Sequence, residues 1–183
     1  MLADILITLL LVLLNGFFVA AEFALVKVRA SQLDIKILKG STRAKMAKTL
    51  IDKLDAYLSA TQLGITLASL ALGWIGERVV AAMVITVFHK FGSTLDPETI
   101  HSISIPVAFT LITFMHITFG EQIPKMMGIK FPLETTLIIS WPMRAFYFVF
   151  APFIWLLNKS SNMFLRLFGI KSVGEEEVHT EEE

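Results

Sequence analysis

Between Asp4 and Glu22 the chain runs for 17 residues, Ile5 to Ala21, without a charged side chain, and Phe23 to Val26 carry the apolar character further. That is close to the about 20 residues an α-helix needs to cross a hydrocarbon core. A first transmembrane helix is therefore expected here. The composition agrees: 55% of the 183 residues are hydrophobic and only 17% charged, too little polar surface to cover a soluble domain of this size. Met1 to Leu10 holds a single charge, Asp4, and no basic n-region of a secretory signal, so the segment is expected to stay in the mature protein. With no cysteine, disulfides, thiolate metal sites and thiol catalysis are excluded.

Two more uncharged runs follow. Ala56 to Gly76 spans 21 residues and Thr99 to Gly120 spans 22 without Asp, Glu, Lys or Arg. A straight helix from 56 to 91 would be about 54 Å long, beyond a core of about 30 Å, so a break is expected at Gly73 to Gly76. Residues 27 to 53 carry eight basic side chains (Lys27, Arg29, Lys36, Lys39, Arg43, Lys45, Lys48, Lys53) against Asp34 and Asp52. This charge bias places them in the cytoplasm and the N-terminus outside. Leu33, Ile37, Met46, Leu50 and Leu54 suit amphipathic helix at that interface. Residues 91 to 99 are expected outside. The last apolar region, 131 to 158, has basic flanks and holds Pro142, Arg144 and Pro152. A charge at mid-depth costs several kcal/mol, so a helical hairpin or surface helices, with a cytoplasmic C-terminus, is expected over a full crossing. Six of the last nine residues are glutamate, so the neutral total hides a +6 body over residues 1 to 174.

Polar residues inside these runs carry the information, because each is costly in lipid. Asn15 and Glu22 lie two turns apart on one face. Ser59, Gln62, Thr66, Ser69 and Gly73 form a stripe at spacings of three or four. Thr113, His116, Thr118, Gly120 and Glu121 end the third run. In Gly120-Glu-Gln-Ile-Pro-Lys125, Pro124 has no N–H for the Gly120 carbonyl, which is expected to stand unpaired beside the Glu121 carboxylate. Carboxylate and carbonyl oxygens suit a hard cation such as Mg²⁺ at a broken membrane helix. Blander readings stand beside this one: Glu121 paired with Lys125, the stripe as interhelical packing, Glu22 paired with Lys27 or Arg29, His116 as a packed histidine. No Ser-His-acid cluster or Gly-rich phosphate loop is recognisable, so the chain does not read as an enzyme.

Three ordered motifs, Asn15-Gly-Phe-Phe-Val-Ala-Ala-Glu-Phe-Ala-Leu-Val-Lys-Val-Arg29, Leu58-Ser-Ala-Thr-Gln-Leu-Gly-Ile-Thr-Leu-Ala-Ser-Leu70 and Gly120-Glu-Gln-Ile-Pro-Lys125, resemble the transmembrane domain of the CorC and cyclin M magnesium transporters over roughly residues 5 to 170. The resemblance implies an all-α homodimer in the cell (inner) membrane. Each subunit has three transmembrane helices, short extra helices and cytoplasmic juxtamembrane helices at 27–53 and 131–172. It implies Mg²⁺ export with Na⁺ as counter-ion, and ATP-binding CBS domains beyond a membrane domain of 1–172 and an acidic linker of 173–183. The implied ion ligands are Glu121, the Gly120 carbonyl and Ser69. Where many relatives have Ser, this chain has Val19, which leaves helix one a backbone carbonyl, assigned to Ala20. A Mg²⁺ sensor or scaffold without transport is the alternative reading.

Overall fold

The computed structural model describes residues 2–90 and 96–168, without the side chains of His89 and Pro97. The described residues form α1 (Leu2–Lys27), α2 (Ala30–Leu38), α3 (Thr42–Ile51), α4 (Leu54–Lys90), α5 (Pro97–Met115), a π-helical segment (His116–Gln122), α6 (Ile123–Lys130) and α7 (Pro132–Leu167). Four stretches are long and apolar enough to cross a membrane: Leu2–Lys27, Leu54–Phe88, Glu98–Lys130 and Pro132–Leu167. The chain is a multi-pass membrane domain, and its outer faces fit lipid: Leu10, Leu13, Phe109 and Phe148 are more than half exposed.

Helix ends follow local chemistry. Gly40 turns the chain between α2 and α3 at φ +82°, and the Ser41 hydroxyl caps α3 by accepting from the Ala44 N–H at 3.2 Å. Asp96 caps α5 by accepting from the Thr99 N–H and hydroxyl at 2.9 and 2.7 Å, which holds its carboxyl below the usual value. Pro132 disfavours helix at Phe131, which leaves it at φ −126° and ψ 55°, so α6 stops at Lys130 and α7 starts anew.

Central α1 packs against α4, the π segment, α6 and α7. Phe18, Ala21 and Leu25 meet Tyr57, Ala60 and Leu63 of α4 and Ile139, Met143 and Ile154 of α7. A smaller cluster of Val28, Leu33, Ala44 and Ala47 fastens the basic helices α2 and α3 beneath. Glycine sets the closest approaches. A Cβ on Gly128 would lie 2.7 Å from the Ala20 carbonyl oxygen and 3.0 Å from the Ala24 nitrogen, both backbone, so α6 rides on α1 without a side chain between them.

Three expectations are corrected. The second run does not break at Gly73 to Gly76: α4 is one helix of 37 residues. Glycine in a helix costs only about 1 kcal/mol each, α4 has no proline, and Gly76 is buried against Ile112, so nothing there forces a break. The third run is not broken either, since helix continues from 97 to 130 through the π segment. Nor do residues 131 to 158 form a hairpin: Pro142 and Pro152 lie inside the single helix α7. Along α7, Tyr147 and Asn158 are about 16 Å apart. Yet they touch α4 at Tyr57 (ring centroids 4.8 Å) and Ser59 (2.8 Å), two residues apart, so α7 crosses α4 instead of running beside it. Arg144 reaches the Met46 sulfur of α3 at 3.2 Å. The expected 172/173 boundary and acidic linker, and most of the expected outer loop at 91 to 99, lie outside the described residues.

Because Gly128 faces backbone that cannot yield, Gly128→Ala is expected to force α1 and α6 apart and destabilise the domain by about 1–3 kcal/mol. Chemical unfolding in detergent checks this.

Candidate ion site

The π segment arises from where N–H groups are missing. The Ile123 N–H, which in an α-helix would serve Phe119, donates instead to Thr118, five residues back. Pro124 has none to give, so it removes the i+4 donor of Gly120 and the i+5 donor of Phe119. The Phe119 carbonyl points at Gly16 of α1, where a Cβ would sit 3.2 Å from it and 2.8 Å from the Pro124 ring. The Gly120 carbonyl turns to the neighbouring helix.

There it meets Asn15, which is fully buried. Asn15 Nδ2 donates to the Gly120 carbonyl at 2.9 Å, and Asn15 Oδ1 accepts from the Ser69 hydroxyl of α4 at 3.0 Å. A carbonyl can only accept, which fixes the amide orientation. The expectation of an unpaired Gly120 carbonyl is thus corrected: the proline frees it from the helix, and Asn15 claims it. A Cβ on Gly120 would lie 2.9 Å from the His116 ring and 3.2 Å from Asn15 Nδ2, so only glycine admits this bond undisturbed.

His116 Nε2 lies 3.4 Å from the Ser69 oxygen and 3.7 Å from Glu121 Oε1. On an α-helix, residues 116 and 121 point about 140° apart. The i→i+5 register of the π segment stacks them one turn apart, which is why His116 belongs to the cluster although its sequence position looked isolated. The Glu121 side chain is 46% exposed. Its expected alternative partner, Lys125, instead lies 4.8 Å over the Phe23 ring.

Of the expected site residues, Gly120, Glu121 and Ser69 come together, and Asn15 and His116 join them. Ala20 sits apart, its carbonyl against Gly128. The stripe on α4 divides: Ser69 turns to Asn15 and Ser59 to Asn158, while Gln62, Thr66 and Gly73 are exposed. Among the described residues no three His, Cys, Asp or Glu side chains gather for a metal. Any ion here would use the Gly120 carbonyl, Asn15 Oδ1, the Ser69 hydroxyl and one carboxylate. Those are hard oxygen donors, suited to Mg²⁺ or Ca²⁺ before softer metals.

Asn15→Ala would leave the buried Gly120 carbonyl without a donor and Ser69 without its acceptor, an expected loss of about 1–3 kcal/mol. Thermal unfolding of the purified protein measures it, and Asn15→Ser should recover part of the loss.

Residues 6–183 match the family model described as the cyclin M transmembrane N-terminal domain. The chain is 44% identical over 174 residues to UPF0053 protein YhdT of Bacillus subtilis (strain 168), covering 94% of this chain and 37% of that protein. It is 42% identical over 182 residues to UPF0053 protein YrkA of the same organism, covering 98% and 41%. With the uncharacterized protein Rv1841c of Mycobacterium tuberculosis (strain ATCC 25618 / H37Rv) the identity is 31% over 177 residues, covering 97% and 50%. The chain therefore spans half or less of the length of these relatives. A buried Asn-Gly-Ser cluster held by a π turn inside a multi-pass helical domain is thus the setting in which this chain belongs to the cyclin M family, as its transmembrane N-terminal domain.

Proposed function

We propose that this domain transports Mg²⁺, exporting it from the cytoplasm in exchange for Na⁺. The observation that carries the reading is the Asn15–Gly120–Ser69 cluster, buried between three membrane helices and bordered by Glu121. Its members satisfy one another through two hydrogen bonds, so a cation entering competes with those bonds for the same oxygens. Rotation of the Asn15 amide would present Oδ1 together with the Gly120 carbonyl, and Glu121 would supply the charge that a dication needs in low dielectric. Mg²⁺ keeps several waters and needs only a few protein oxygens, which fits so sparse a set.

The topology that supports this has three crossings, α1, α4 and α5 through α6. Steep crossing of α4 by α7, and its contact with the basic helix α3, favour α7 as a belt at the cytoplasmic surface. The basic residues of 27 to 53 put that surface in the cytoplasm and the N-terminus outside. Exposed Gln62, Thr66 and Gly73 on a membrane helix favour a homodimer in which a second copy covers them. Nucleotide-binding CBS domains, as in the resemblance, would belong to the part of those relatives that the match does not cover.

Flux into a Mg²⁺-sensitive dye in proteoliposomes tests the proposal. The unaltered chain should carry Mg²⁺, faster against an opposing Na⁺ gradient, and Glu121→Gln should lower the rate by about tenfold or more, since it removes the carboxylate charge that a dication at the cluster would rely on. Mg²⁺ binding without flux in the unaltered chain would favour the sensor reading. Cysteines at Lys39 and Glu98 test the crossings: an impermeant reagent should label them from opposite sides.

A further inference from the structure

One helical turn from the site, on the side away from the basic helices, lies a layer with no polar side chain. Val12 precedes Asn15 by three residues on α1, Leu72 follows Ser69 by three on α4, and Ile112 precedes His116 by four on α5. All three helices therefore take the same step outward from a site residue. Val12, Leu72 and Ile112 pack together as one buried cluster, with exposures of 3%, 1% and 6%. The layer abuts the site directly, since the Val12 carbonyl lies 3.6 Å from where a Gly120 Cβ would be. Gly76 seats it: a Cβ there would stand 3.0 Å from Ile112 Cδ1 and 3.3 Å from Leu72 Cδ1. Ile112 also lines a groove of about 670 Å³ between α1, α4 and α5, which extends outward along Leu9, Val80, Met83 and Leu111. Among the described residues the one hydroxyl on its wall, that of Thr8, donates to the Asp4 carbonyl at 2.8 Å.

We propose that Val12, Leu72 and Ile112 form a closed outer gate for a hydrated divalent cation, with Gly76 as the seat that lets Ile112 close it. The inference rests on reading the neighbouring cluster as an ion-transport site. A cation leaving outward would meet three buried aliphatic side chains packed on one another, which offer no oxygen to replace its water shell. Such a constriction blocks conduction by excluding water. Opening requires these three side chains to separate, and the apolar groove gives Ile112 and Leu72 room to withdraw without burying a polar group. The outward-opening movement is thus assigned to the upper halves of α4 and α5.

The absence of native cysteine makes the test direct. Single cysteines are placed at Ser69, inward of the layer, at Met83, in the groove outward of it, and at Lys39 to mark the basic side. An impermeant thiol reagent is added to proteoliposomes on the side opposite Lys39. With the layer intact, Ser69→Cys should react about tenfold or more slower than Met83→Cys. Adding Ile112→Ser should speed Ser69→Cys by about tenfold while leaving Met83→Cys within about twofold, because a hydroxyl wets the constriction. Leu72→Ser serves the same purpose if Ile112→Ser does not fold. Equal rates at Ser69 and Met83 with the layer intact, or no acceleration in either serine variant, would overturn the gate. Mg²⁺ flux in the cysteine-free chain separates this from the transport reading. Labelling contrast with no flux in any variant keeps the seal and removes transport. Flux that Glu121→Gln abolishes, without labelling contrast, keeps transport and removes the gate.

Discussion

Everything distinctive about this domain depends on one hydrogen bond, from the Asn15 amide to the Gly120 carbonyl. Inside a bilayer no water can serve a stranded backbone carbonyl, and leaving one unpaired costs several kcal/mol. Pro124 strands carbonyls in the third membrane helix, and the π register decides which: Phe119 is left facing glycine, and Gly120 is handed to Asn15. The side chain that repairs the defect comes from the central helix, so the repair also fixes how α1 sits against the π segment. Because Asn15 still has an oxygen to satisfy, it takes the Ser69 hydroxyl, and α4 is tied in as well. A backbone fault in one helix thereby sets the register of three.

Glycines make that register possible. Gly120 admits the Asn15 amide, Gly16 admits Pro124 and the Phe119 carbonyl, and Gly128 lets α6 lie on the backbone of α1. Each position would clash if given a methyl group, and together they run along one side of the α1–α6 contact. In lipid there is little hydrophobic gain in bringing helices together, so close backbone approach and a few polar bonds must supply the association. The same closeness keeps the oxygens of Asn15, Ser69 and Gly120 within reach of one another.

Much of this was legible in the residues. Uncharged runs located the membrane helices, the basic block fell on the short helices α2 and α3, and Pro124 pointed to Gly120. Other features were not. A proline pattern announces a lost hydrogen bond but not whether the helix will break, kink or widen into π register, because that depends on what the facing helix offers. His116 was hidden for the same reason, since α-helical spacing separates it from Glu121. Asn15 stands out in the sequence as a polar residue sharing a face with Glu22, but its partner, the Gly120 carbonyl, is visible only in the fold. Gly73 and Gly76 looked like a break by length alone, yet Gly76 is occupied in seating Ile112. For 131 to 158 the mid-depth charge of Arg144 argued against a full crossing, but nothing in the residues showed that one helix, α7, would run unbroken through Pro142 and Pro152.

The central claim is that a hard cation replaces the internal hydrogen bonds of the Asn15–Gly120–Ser69 cluster with Glu121 as its charge. High-resolution density maps of the purified protein, with saturating Mg²⁺ and with chelator, test it most directly. The account predicts an ion about 2.1 Å from a Glu121 oxygen or from the Gly120 carbonyl, with the Asn15 amide turned away from its bond to Gly120. An unchanged Asn15–Gly120 hydrogen bond in saturating Mg²⁺, with the ion bound elsewhere or nowhere, would contradict it.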